Sequence, residues 1–325
     1  MLVYLIRRLS QSAFVLVAMA VLVFIGIYAV GNPVDVLINP EADLAERQAT
    51  IERLGLDRPL YEQFWLFVTK ALQGDLGRSF LHAEPALPLI LERLPATLEL
   101  AGVAMLIAVF VGVPLGMIAG LRAGKPAGKT IMAGSILGFS LPNFWQGLML
   151  IMIFAVMLGW LPAGGRGETV EVFGIGWSFL TLDGWAHLLL PAINVALYKT
   201  SLVIRLARAG TREVALQDYV KFARAKGLSE RRVVLVHMLK NIMIPVVTVL
   251  GLELGNVIAF AVVTETVFAW PGMGKLLIDS IVNLDRPVVV AYLLLTVVIF
   301  IFINLVVDIA YSLLDPRVRL SDKGS

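Results

Sequence analysis

Five ionisable side chains stand in or beside long apolar runs: Glu99, Lys199, Glu253, Glu265 and Asp308. A charge at the centre of a bilayer costs about 3 kcal/mol on insertion scales, so a buried one faces protein or water. Glu99 and Glu265 fall near the ends of their runs, where solvation is the simple expectation. Lys199 is close enough to an end to snorkel. Glu253 is the most central. Either it lines a pathway or partners a cation, or it is held protonated or hydrogen-bonded between helices. Glu253, Asn256 and Glu265 are the candidate pathway residues. No continuous relay of acids crosses the runs, which disfavours a proton-coupled pump.

Catalytic chemistry has little to work with. His82, His187 and His237 lie far apart and form no HExxH-like cluster, and cysteine is absent. No metal site or nucleophilic triad is therefore expected. Residues 123–130, AGKPAGKT, come close to a phosphate-binding loop. That loop requires Gly at position 123 and a preceding strand. Position 123 is Ala, and an apolar helix precedes it, so the segment reads as a basic turn.

The elements that must position these residues are apolar. Of the 325 residues, 58% are hydrophobic and 16% charged, against about 25% charged in a soluble domain. Six runs are long enough to cross a bilayer, which takes ~20 helical residues. They fall near 9–30, 97–120, 131–160, 185–204, 243–268 and 289–312. The first apolar run exceeds a signal-peptide core, so it reads as a retained anchor. The predicted fold class is an all-α membrane protein with six transmembrane helices.

Charge sets the orientation. Segment 205–242 carries nine basic residues against three acids, and the turn at 121–130 has three basic residues and no acid. On the alternate side, 31–96 has six basic and ten acidic residues, and 161–184 has one against three. The positive-inside rule then places both termini in the cytoplasm. The implied organisation is an anchor helix over 1–30, a periplasmic loop region over 31–96, a transmembrane domain over 96–312 and a tail over 313–325. The loop region contains helical-looking 41–54 and 60–73.

Small residues mark helix contacts. Ala104, Ala108, Gly112, Gly116 and Gly120 recur every four residues, as do Gly251, Gly255 and Ala259. Such stripes let helix backbones approach closely in lipid. Pro114, Pro142 and Pro191 inside spans predict kinks.

Segment 205–242 is too polar to insert. Residues 212–226 have good helix formers and a broad apolar face. Gly227 predicts a helix end, and Ser229 a cap for the next helix. The expected product is an elbow of two short helices joined to the fifth span at Pro245. Such an amphipathic element lies on lipid or docks in a partner's groove.

Its sequence, DYVKFARAKGLSERRVVLVHMLKNIMIP, resembles the EAA loop of bacterial ABC importer permeases in the dipeptide, oligopeptide and nickel group. The carrying residues are Tyr219, Ala223 to Leu228, and Pro245. Of the general EAA pattern, Ala223 and Gly227 are kept, while Lys221 and Phe222 stand for Glu and Ala. Further matches are Tyr4-Leu5-Ile6-Arg7-Arg8, Leu54 to Leu60, Gly74 to Ser79, Leu94 to Leu100, Thr264 to Gly274 and Asp315-Pro316-Arg317. The long outer loop resembles the B-type subunit. The resemblance implies a type I ABC importer transmembrane domain and a half-channel in a multi-pass inner membrane protein. Its partners would be a homologous second permease, two cytoplasmic ATPase subunits and a periplasmic solute-binding protein, with no nucleic acid. The chain would bind no cofactor, ATP being used by its partners. Tyr219, Phe222, Ala223, Arg224, Ala225, Lys226, Gly227 and Leu228 would couple it to the ATPases. Peptides are the first expected solute, with nickel, opines and glutathione as alternatives.

Overall fold

An apolar run in lipid must pair its backbone polar groups within itself, and the α-helix does so. The computed structural model describes residues 2–29, 48, 51 and 57–314, with side chains of 2–9, 27–29, 260 and 308–314 left aside. In chain order the helices are α1 (Leu2–Ala29), α2 (Leu60–Leu72), α3 (Ala86–Leu121), α4 (Pro126–Ser140) and α5 (Asn143–Leu150). A wider-wound stretch, Ile151–Met157, continues α5. Then follow a short hairpin of β1 (Val170–Val172) and β2 (Ile175–Trp177), α6 (Leu182–Val214), α7 (Asp218–Ala225) and α8 (Glu230–Arg232). A second wide stretch, Val233–Met238, carries α8 into α9 (Leu239–Phe260). The last helices are α10 (Val262–Val267), α11 (Met273–Val282) and α12 (Arg286–Leu314). Asp308's side chain, helical-looking 41–54 apart from Gln48 and Ile51, Leu54-Gly55-Leu56, the Arg7-Arg8 side chains and Asp315-Pro316-Arg317 lie outside the described residues.

Among the described residues, four helical stretches are long and apolar enough to cross a membrane: Ala86–Leu121, Leu182–Val214, Glu230–Ala259 and Arg286–Val307. A fifth arises if α4 and α5 with its extension count as one span, although they are bent by 104°. Pro142 explains the bend. It and Leu141 are extended, with ψ of 136° and 140°, so the predicted span 131–160 breaks there rather than kinking. Pro114 and Pro191, by contrast, stay inside continuous helices. Ser10–Gly26 is a shorter apolar helix.

The chain divides into two compact units, described separately. One comprises Met1–Glu92 and Leu276–Ile301, the other Arg93–Lys275 and Phe302–Ser325. In the first, Phe24 of α1 meets the rings of Phe64 and Phe67 of α2 at 5.3 and 6.1 Å. The buried Asp285 carboxylate accepts from Ser79 Oγ and from the Phe80 amide at 3.0 Å, fixing the turn before α3.

In the second unit the predicted glycine stripe meets α6. A Cβ built on Gly112, Gly116 or Gly120 would lie 2.7, 2.6 or 2.7 Å from Val203, Ala207 or Thr211. Both sets of residues recur every four positions, so two smooth ridges interlock. Gly251 meets Val307 of α12 equally tightly, at 2.6 Å. The core around this seam contains Val113, Met117, Val203, Ala207, Ile242, Val246 and Leu250.

Candidate functional site

The basic elbow is built differently from the expected pair of short helices. α6 does not end near 204 but continues to Val214, and extended Gln217, with ψ of 145°, separates it from α7. The predicted helix 212–226 is therefore split. Its first residues complete a long helix, and only Asp218–Ala225 forms the short one. The second predicted helix is the leading end of a continuous stretch, Glu230–Ala259, which passes through Pro245 without a joint. Gly227 ends α7 as expected, with φ of +76°. The Leu228 amide then closes back on the Ala223 carbonyl at 3.3 Å, a helix-terminating pattern that relies on a left-handed residue. Ser229 contributes no side-chain cap. Instead Arg224 Nε donates to Glu230 Oε1 at 2.7 Å and ties the two arms together.

α7 has two faces. Val220 and Ala223 are buried and join the core with Val233, Met238 and Ile242. On the other side Tyr219 and Phe222 are exposed, Phe222 to 61%, as is Leu216 in the turn before the helix. Lys226 Nζ sits 4.6 Å from the Phe222 ring centre, and Arg231 and Arg232 are exposed nearby in sequence. Asn241 Nδ2 donates to Tyr219 Oη at 2.8 Å, pinning α7 to α9. Partial burial pushes the Tyr219 phenol above its ordinary value, against the lowering effect of the Asn241 bond. The element is rigidly attached to the membrane helices on one side and presents aromatic and cationic groups on the other.

Inside the same unit, α6 and α9 carry an ion pair. Lys199 Nζ bonds Glu253 Oε2, with the two side chains 12% and 22% exposed. Lys199 therefore does not snorkel, because an acid within reach satisfies it where it stands. Glu253 takes the role of cation partner. Lys199 of the pair lines a cavity of about 290 Å³, together with Asn256, Asn143, Gln146, Phe139 and Tyr198, and Glu253 stands behind the ammonium as its partner. Phe139 and Tyr198 stack at 4.8 Å, and Arg205 lies 4.8 Å over Phe139. The cavity thus combines carboxamides, aromatic faces and charge within a helix bundle.

Glu265 is not solvated. It is fully buried, and Oε1 accepts from Thr97 Oγ1 at 2.6 Å while Oε2 accepts from the Lys275 amide at 2.9 Å. The Thr97 hydroxyl in turn accepts from the Met273 amide at 2.9 Å. These amides open α11, so the carboxylate caps a helix N-terminus from a distance in sequence. Gly272 must be glycine because a Cβ there would fall on the carboxylate. Buried Trp270 completes this knot, its indole N–H donating to the Ala96 carbonyl at 2.8 Å.

Glu99 is likewise buried. Arg166 pairs with it at 2.9 Å and also donates to the Gly176 carbonyl at 2.6 Å. The Phe179 amide donates to Glu99 Oε1 at 2.7 Å. The charges anchor the β1–β2 hairpin, which no periodicity in the sequence announced. Its turn, Phe173-Gly174, has positive φ at both positions, a two-residue hairpin geometry. Residues 122–125 form a turn between α3 and α4, so AGKPAGKT follows a helix rather than a strand.

A bundle of apolar helices with a cavity of mixed lining and an amphipathic arm fits a membrane transport protein. The sequence profile of binding-protein-dependent transport system inner membrane components matches residues 112–320, and the profile of the N-terminal region of such components matches residues 1–101. The chain belongs to this family, and it is a multi-pass inner membrane permease subunit of an ABC importer. It is 41% identical over 302 residues to the di/tripeptide transport system permease protein DppB of Pseudomonas aeruginosa (strain UCBPP-PA14), covering 89% of this chain and 90% of that one. It is 39% identical over 320 residues to the glutathione transport system permease protein GsiC of Escherichia coli (strain K12), covering 98% and 99%. Two inward-facing structures of the MetNI methionine ABC transporter share its fold, with TM-scores of 0.54 and 0.56 at 16% and 15% identity. Each covers 70% of this chain and 96% of its own.

Proposed function

We propose that this chain forms half of the translocation pathway of an ATP-driven importer for short peptides in a bacterial inner membrane. Six spans place both termini and the elbow in the cytoplasm, with 31–96 outside. A homologous permease supplies the other half, two ATPase subunits grip the elbow, and a periplasmic binding protein delivers the solute. ATP is bound by those partners, since this chain has no phosphate-binding loop. The likeness to di/tripeptide and glutathione permeases supports the peptide class, because both solutes are small molecules with free amino and carboxyl groups.

The observation that carries this reading is the two-faced α7. Its buried residues Val220 and Ala223 lock it to the core of the α3–α6–α9 bundle, while Tyr219 and Phe222 remain outside for a partner. When an ATPase dimer closes, force applied to Tyr219, Phe222, Arg224, Ala225 and Lys226 passes through Ala223, Gly227 and Leu228 into α9. Helix-in-groove docking of this kind relies on a few aromatic anchors.

The test is uptake by the reconstituted transporter. Phe222→Asp puts a charge on the docking face without touching the core. It is expected to abolish ATP-dependent peptide uptake while membrane insertion and the thermal stability of this chain stay unchanged. Undiminished uptake would remove α7 from coupling. Uptake by this chain alone without ATP would point instead to an ion-coupled carrier.

A further inference from the structure

The Lys199–Glu253 pair joins α6 to α9 with both side chains largely buried. Two full charges have been placed between α6 and α9, each within a stretch apolar enough to cross a membrane. As a mere clamp the pair is a poor device, since apolar residues of similar volume often hold a bundle as well or better. The glycine seam between α3 and α6 already shows how this bundle makes contacts without charge. Lys199 also lines a cavity rather than packed core, and Glu253 meets that cavity only through the Lys199 ammonium. Asn256, one turn from Glu253, has no hydrogen-bond partner among the described residues. Nearby Asn143, by contrast, is engaged with Asn194 at 2.7 Å and with Thr264 at 3.2 Å.

We infer that this cavity is a solute subsite for the two charged ends of a short zwitterionic peptide. The chemistry is an exchange of partners. The peptide carboxylate replaces Glu253 on the Lys199 ammonium, and the peptide ammonium takes the freed Glu253 carboxylate. Four charges stay neutral as a set, so a zwitterion enters the low-dielectric bundle without an unpaired charge. The free carboxamide of Asn256 can donate to and accept from the peptide bond between those ends. The Tyr198–Phe139 stack provides an apolar wall for side chains. A cavity of about 290 Å³ lies at the small end of ligand pockets, a size that suits a solute of two or three residues. Glu265 takes no part, since its carboxylate is consumed by Thr97 and Lys275. This inference rests on the peptide reading above, and names the residues of this chain that would recognise the solute.

The chain contains no cysteine, so a single introduced thiol reports on the cavity. In the complete transporter in vesicles, Leu141→Cys, a lining position given no part in binding, is alkylated with N-ethylmaleimide and followed by the mass of this chain. Excess dialanine is expected to slow alkylation about tenfold, the effect of gaining charge-assisted hydrogen bonds. N-acetyl-dialanine amide, which lacks both charges, should not slow it. Lys199→Gln should remove the protection and Lys199→Arg should retain it. Should Leu141→Cys fail to assemble, Val195→Cys, also in the lining, provides the same readout. Vesicles that accumulate dialanine with ATP yet show no protection would overturn the subsite alone. Equal protection by the blocked peptide would do so too. Wild-type vesicles that accumulate no dialanine would sink the peptide reading and the subsite with it.

Discussion

Gly116 of α3 and Ala207 of α6 meet with no room for one added carbon, a Cβ at Gly116 falling 2.6 Å from that of Ala207. The obstruction includes backbone as well, since the Ile204 carbonyl oxygen lies 2.7 Å from the same point. No rotamer change can relieve it. The two helices must separate to admit any side chain.

Gly116→Val is therefore expected to destabilise the bundle by about 3 kcal/mol or more, at the upper end of overpacking costs. A thermal melt of the purified chain in detergent checks this. Gly134 offers a control on α4, because nothing lies within 4 Å of its added Cβ. Gly134→Ala should leave the melt unchanged, or raise it slightly through better helix propensity.

The Glu99–Arg166 pair gives a different signature. Arg166→Met leaves a carboxylate with a fully buried side chain facing no cation, a loss of about 3–5 kcal/mol. Adding Glu99→Leu removes the stranded charge and should recover much of that stability. A double-mutant cycle on thermal stability measures it. A double variant as unstable as Arg166→Met would show that the pair is not the source of the effect.

Glu265 predicts an unusual intolerance of glutamine. Its oxygens face donors only, the Thr97 hydroxyl and the Lys275 amide. A carboxamide would turn its own N–H₂ toward one of them. Glu265→Gln should cost about 1–3 kcal/mol, the penalty of one unsatisfied buried donor. Glu265→Asp, which keeps two acceptors on a shorter arm, separates the chemistry from the reach. Thermal stability of the three forms ranks them.

What the residues disclosed beforehand was what repeats locally. Glycines four apart announce a seam because both the helix and its neighbour read that period. Gly227 announces a helix end because its backbone conformation is local. The partner of each charge was not legible in this way. Arg166 and Glu99, or Thr97 and Glu265, are brought together only by the folded chain, and no spacing links them. Position along the chain alone therefore points to solvated carboxylates, whereas the fold buries both. The extent of α6 was hidden for a related reason. Its polar end past residue 204 fails a hydropathy test, although it packs against the bundle through Ala207 and Thr211. The break at Pro142 needed both Leu141 and Pro142 to be extended, whereas Pro114 and Pro191 are absorbed within helices.

What touches the exposed face of α7 decides whether this arm couples transport to ATP. With no native thiol in this chain, Phe222→Cys can be paired with single cysteines on the surface of the ATPase subunit in the assembled transporter. Mild oxidation is expected to join the two chains in a disulfide, at a rate that changes on addition of ATP. A permease that transports with ATP, yet whose residues at 216, 219 and 222 form no cross-link to any ATPase position, would contradict that coupling.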